Sequence, residues 1–201
     1  MNSLSCTRSR TALSLALLLL ACVPLAHAQV NIYARFLDVT GVWAGESTAP
    51  GRTNWTTLSS VSFGVSNPTA IGGVGGGTGR AVFDSVVLTK LVDRLTPQLM
   101  SALTTGTALN AGGANADVTI EFTKPGATGP VTFFRFEIKL AFIAKTTSAA
   151  AASDGSVSET VTLVGGAFRY TYWPTLANGN LGTPVVKAWS QVMNTPTFTV
   201  Q

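Results

Sequence analysis

The chain has 201 residues and a net charge of +4; 46% of its residues are hydrophobic and only 11% are charged. That length supports one domain with a sizeable core. A chain poor in charge but rich in Gly, Thr, Ser and Ala reads as packed strands and turns, which excludes a disordered polyelectrolyte.

The first segment in chain order is a leader. Arg8 and Arg10 precede an apolar run from Ala12 to Leu20, Pro24 breaks it, and Ala26-His27-Ala28 forms a small-x-small site. This pattern predicts a secretory signal peptide over residues 1–28, cleaved after Ala28, and a secreted or periplasmic mature chain. The alternatives are lipoprotein processing at Cys22 and an uncleaved anchor, although the apolar run is short for a bilayer. Cys6, Cys22 and His27 all lie in this leader. The mature chain, 29–201, therefore has no disulfide, no thiolate nucleophile, no Ser-His-Asp triad and no imidazole metal ligand. Removing Arg8 and Arg10 leaves 11 basic against 9 acidic residues, a net charge of +2 with no basic cluster to attract nucleic acid.

From residue 30 the dominant period is two. It is read in Val30 to Phe36, in Val61, Phe63 and Val65, and in Val118, Ile120 and Phe122. It continues in Phe134, Phe136, Ile138, Leu140 and Phe142, in Val157 to Leu163, and in Phe168, Tyr170 and Tyr172. Each run predicts a half-buried antiparallel strand. Breakers separate them at Gly45 to Gly51, Asn67-Pro68, Gly72 to Gly79, Lys124-Pro125-Gly126, Asp154-Gly155 and Asn178-Gly179. One stretch has helical spacing: Thr96 as N-cap, Pro97 at the first turn, then Leu99, Met100 and Leu103, closed by Gly106. The expected fold is all-β, a compact antiparallel barrel or sandwich in one domain (29–201) with one short flanking α-helix over about 97–105. The Gly-rich run 72–79 and the Ala/Ser/Thr-rich run 146–153 read as mobile loops.

No residues select a chemistry. The Gly-rich run lacks the Lys-Ser or Lys-Thr that would complete a phosphate-binding loop. Glu46, Asp84, Asp93, Asp117, Glu121, Glu137, Asp154 and Glu159 include no marked catalytic pair. Glu121 and Glu137 fall on the polar faces of strands, as solvated charges would, whereas Asp84 and Asp93 lie near Lys90 and Arg94 and suggest ion pairs. The four tryptophans and three tyrosines read as core or interface anchors more readily than as a sugar platform. The expectation is a protein with no catalytic residues, cofactor or metal.

The order of segments resembles the Hcp (haemolysin-coregulated) tube subunits of bacterial type VI secretion. The residues that carry the resemblance are Val42-Trp43-Ala44-Gly45-Glu46-Ser47, Leu58 to Ser66, and the glycine-rich arm closed by Gly79-Arg80. They continue through Leu88-Thr89-Lys90, Val92-Asp93, Thr96-Pro97-Gln98-Leu99-Met100, Ser158 to Leu163, Tyr170 to Pro174 and Gly182 to Trp189. The resemblance implies a homo-oligomer, a hexameric ring that stacks into a tube, carries small effectors and meets the spike and sheath proteins of the apparatus. The secretory leader sets the chain apart from cytoplasmic tube subunits. Ring contacts are expected from the arm at Gly72, Gly73, Gly75, Gly76, Gly77 and Gly79, whose bare backbone permits close approach, and from Arg80, Lys90, Asp93 and Arg94 beside it. The competing class is a secreted β-sandwich that binds glycan or host protein, and mass in solution separates the two.

Overall fold

The computed structural model describes residues 29–68, 79–110, 113–126, 129–151 and 155–201. In chain order the elements are β1 (Asn31–Asp38), β2 (Gly41–Val42), β3 (Thr56–Ser62), β4 (Val65–Ser66), β5 (Val82–Phe83) and β6 (Val86–Leu91). The helix α1 (Thr96–Thr105) follows, then β7 (Val118–Gly126), β8 (Gly129–Lys139), β9 (Phe142–Ala151), β10 (Ser156–Val164), β11 (Ala167–Tyr172) and β12 (Val185–Ser190). The main sheet is wholly antiparallel, with strand order β12-β11-β8-β7-β1-β3-β6-β10-β9, and β2 pairs with β1 at one end. β4 and β5 form a separate ribbon.

Alternation sorts the two faces. On β8, Phe134, Phe136 and Ile138 join the core while Arg135, Glu137 and Lys139 point away from it. Phe36, Leu88, Val118, Ile120, Val161, Leu163 and Phe168 complete a core in which each is at most 2% exposed. An aromatic stack runs through it: Phe63 lies 4.5 Å from Phe136, and Phe83 lies 4.2 Å from Phe168, both nearly parallel. Tyr170 shares this stack, and burial holds its hydroxyl above the usual tyrosine range.

α1 packs on β9 through Leu99 and Ala102. Gly106 closes it in the left-handed conformation (φ 65°), donating its N–H to the Ala102 carbonyl. Two details depart from expectation. Leu95 stands at the N-cap and Thr96 is already helical, because the Thr96 hydroxyl serves another partner described below. Met100, read as part of the packed stripe, is 62% exposed.

Two larger corrections concern strands. The alternation from Phe134 to Phe142 reads as one run, yet the chain turns between β8 and β9. Leu140 adopts φ 52°, which a non-glycine residue rarely does, and the buried Asp117 carboxylate accepts the Ala141 N–H at 2.8 Å. Burial raises the pKa of Asp117. The run from Thr146, expected to be a mobile loop, is instead strand as far as Ala151, paired residue for residue with β10 from Ser156 to Val161. Ser153 lies outside the described residues.

Candidate functional site

The expected ring-contact residues divide into three groups. Gly72, Gly73, Gly75, Gly76 and Gly77 lie outside the described residues. Gly79 stands at the root of the arm and donates its N–H to the Pro68 carbonyl at 2.8 Å; a Cβ there would collide with Pro68. The root is bolted to the body. Phe63 and Phe83 sit in the aromatic stack, the Asp84 N–H reaches the Gly64 carbonyl, and the Phe83 N–H reaches Oε1 of Gln191 at 3.2 Å. Val65 and Val82 of the ribbon remain about half exposed, at 54% and 49%. Arg80 is exposed beside a shallow cleft that Phe142, Val164 and Gln191 also line, and Arg94 is exposed. Asp84, expected to form an ion pair, has none among the described residues.

Lys90 and Asp93 are spent inside the subunit. Lys90 is 1% exposed, and its ammonium donates to Asp93 Oδ1 at 2.7 Å, Glu159 Oε2 at 3.0 Å, Thr96 Oγ1 at 3.1 Å and the Leu91 carbonyl at 2.9 Å. The Thr96 hydroxyl donates to Glu159 at 2.8 Å, and Thr56 donates to Asp93 at 2.5 Å. This cluster ties β3, β6, the start of α1 and β10 into one unit. It leaves no Lys90 charge for a neighbour, so the expectation of a surface contact there is corrected by burial. Lys90 and Asp93 were legible as a local pair; Glu159 and Thr56 join from distant strands.

The polar face of β7, β8 and β11 carries a second arrangement, also contrary to expectation. Glu121 and Glu137 are each only 6% exposed. Arg52, from the loop before β3, bonds Glu121 at 2.8 Å, while Arg135 bonds it from the directly opposite position on β8 at 2.6 Å. Glu137 is held through both oxygens by Arg169, its register partner on β11, at 2.6 and 2.7 Å. Aromatic rings cover these cations: Tyr33 under Arg52, Trp173 under Arg135 and Phe198 under Arg169. Four of the eight carboxylates weighed as possible catalysts are thus bound to cations. Among the described residues no three His, Cys, Asp or Glu side chains converge to hold a metal ion. No helix among them is long and apolar enough to cross a membrane.

The remaining feature is at the ends of the sheet. β9 and β12 are its two terminal strands; among the described residues β9 has no partner on its outer side, and β12 is met there only at its last residue, Ser190, by Thr195. Ala149, Ala150, Ser156, Val157 and Ser158 are all exposed, so the end of β9 and the start of β10 present both faces to solvent at these residues. Likewise Val185, Val186 and Lys187 at the start of β12 are exposed in succession, and Val185 and Val186 are 58% and 48% exposed. Sequence alone did not reveal either edge, because strand order is set by long-range pairing.

Residues 36–172 match the profile of the family described as "Type VI secretion system effector, Hcp". The chain belongs to the Hcp family. Solved structures agree on the fold. A structure described as a type six secretion system protein superposes with a TM-score of 0.72 at 20% identity, covering 83% of this chain and 99% of its own. Hcp1 from E. coli EAEC 042 gives 0.64 at 18% identity, covering 81% and 99%. Hcp1 from Salmonella typhimurium gives 0.62 at 16% identity, covering 84% and 98%. No curated protein sequence matches the chain. The Hcp match stops before β12, so that free edge lies beyond the matched segment.

Proposed function

We propose that the mature chain is a structural, non-catalytic Hcp subunit that closes into a hexameric ring through its two sheet ends. The rings stack through the Gly-rich arm into a tube whose lumen carries effector proteins. One observation supports this most: in a chain of the Hcp family, the sheet ends in β9 and β12, whose outer edges are largely unpaired among the described residues and whose Ala149-Ala150 and Val185 to Lys187 stretches are exposed in succession. Free edges leave backbone donors and acceptors unmet, a liability that single-subunit proteins usually cover. A β9 edge meeting the β12 edge of the next copy is a heterologous contact, and repeated about an axis it closes a ring. The leader directs the chain out through cleavage after Ala28, and the working form then starts at Gln29.

The mature chain has no cysteine, which allows a direct test. Cysteines placed at Ala149 and Val186 together, treated with a short bismaleimide, are expected to give a covalent ladder that ends at the hexamer. Either cysteine alone gives dimers at most. The absence of any ladder from the double variant contradicts ring closure through these edges. Mass spectrometry of exported protein checks the leader: a mature terminus at Gln29 is expected, a diacylated Cys22 indicates lipoprotein processing, and an intact Met1 refutes both.

A further inference from the structure

Arg35 differs from the other arginines on its face of the sheet. It lies on β1 in register with Thr119 of β7, and its guanidinium stacks over Trp55 with Cζ 5.5 Å from the ring centre. Arg52, Arg135 and Arg169 each hold a carboxylate, whereas among the described residues Arg35 holds none. Its Nε is buried without a hydrogen-bond partner, and so is the hydroxyl of Thr119, a residue only 4% exposed. These are two orphaned polar atoms on adjacent strands of one cross-strand row. The next residue in that row, Glu137, is already committed to Arg169 through both oxygens. Orphaned buried polar groups are uncommon and cost the isolated subunit stability.

The missing complement is an oxyanion. A guanidinium offers a planar fork of N–H donors and a threonine hydroxyl offers one more, which together match the two oxygens of a carboxylate. The charge balance points to where that carboxylate comes from. This face carries Arg35, Arg52, Arg135, Lys139 and Arg169 against Glu121 and Glu137, both already neutralised. Elsewhere on the subunit, Glu46 and Asp84 are exposed, with no ion pair among the described residues. Glu46 accepts the Arg94 backbone N–H, so one copy holds a cation without a carboxylate at Arg35 and carboxylates without a cation at Glu46 and Asp84, on different parts of its surface, the complementarity that a repeating contact between copies uses.

We propose that Arg35 and Thr119 form the seat for a carboxylate side chain of a neighbouring copy, and so mark part of the assembly surface. This rests on the ring reading above. The test compares residues 29–201 with the variants Arg35→Gln and Thr119→Val, measuring assembly by sedimentation and subunit stability by thermal melting under dissociating conditions. Arg35→Gln should weaken assembly by about tenfold or more, as expected for loss of a charge-assisted hydrogen bond. Thr119→Val should weaken assembly while leaving the melting temperature of the isolated subunit unchanged or higher, because it removes an orphaned hydroxyl. A purely structural role would move both readouts in the same direction and overturn the proposal. Normal assembly of both variants also overturns it and leaves the ring reading standing. A wild-type chain that never assembles removes both.

Discussion

Two ionic clusters hold this molecule together, and they are mirror images in charge. Around Lys90 one ammonium serves two carboxylates, Asp93 and Glu159; around Glu121 one carboxylate serves two guanidinium groups, Arg52 and Arg135. Their surroundings differ more than their charges. The side chains of Lys90 and Glu159 are 1% and 2% exposed, whereas Arg135 is 36% exposed and half-wrapped by Trp173. Coulomb attraction is similar at these separations, but the cost of leaving a partner behind depends on the water that can reach it. The Lys90 cluster therefore works as an internal rivet among four elements, and the Glu121 cluster as a partly wetted brace across the outer face.

Breaking the rivet should have the largest effect. Lys90→Met keeps the aliphatic stem but strands two buried carboxylates, and it should cost about 3–5 kcal/mol in urea unfolding, the range for breaking a buried pair from one side. A loss below about 1 kcal/mol would place Lys90 among ordinary surface ion pairs. Glu121→Gln comes next. It leaves the buried Arg52 with weaker neutral acceptors and should cost about 1.5–3 kcal/mol, the scale of a hydrogen bond to a charged group. Arg135→Gln should cost only about 0–1 kcal/mol because its fork is partly solvated and Arg52 still holds Glu121. If Arg135→Gln proved as costly as Lys90→Met, the contrast drawn from burial would fail.

The smallest effect sharpens the comparison with a carboxylate that has no cation bonded to it. Asp117 is 1% exposed and supports the β8–β9 turn by accepting the Ala141 N–H. Desolvation raises its pKa, and the backbone hydrogen bonds and the charge of Lys139 oppose that shift without cancelling it. With the folded pKa above the unfolded one, the native state binds the proton more tightly. Asp117 then contributes stability below its unfolded pKa of about 3.8, and this contribution is lost as pH rises through the folded value. Asp117→Asn cannot ionise, so the melting temperature of the variant relative to wild type should rise between pH 3.5 and 7. A relative fall over that range contradicts the assignment.

These contrasts also explain what could be read from the residues alone. The strands of the body were legible because one apolar and one polar side chain alternate, as in Phe134 to Lys139. So was the helix, through Pro97, Leu99 and Gly106. The Lys90–Asp93 pair was legible because its members are three residues apart. Glu121 and Glu137 looked like solvated charges because their partners come from distant segments; Arg52 lies 69 residues from Glu121. The outer half of β9, Thr146 to Ala151, was missed for a different reason. Ala, Ser and Thr exposed on both faces give no alternation, so nothing local distinguishes an exposed strand from a loop. The turn at Leu140 was hidden by the opposite effect, since Ile138, Leu140 and Phe142 keep the period of two straight through a reversal of the chain. The free edges at β9 and β12 were invisible until the strand order was known, and they carry most of the functional reading.

The most direct test of that reading is the mass of purified residues 29–201 in solution, followed by light scattering across a wide concentration range. The account predicts a discrete particle with the mass of a hexamer that persists on dilution. A strictly monomeric particle at the highest concentration would leave the Hcp fold intact and contradict the claim that its two free edges close a ring.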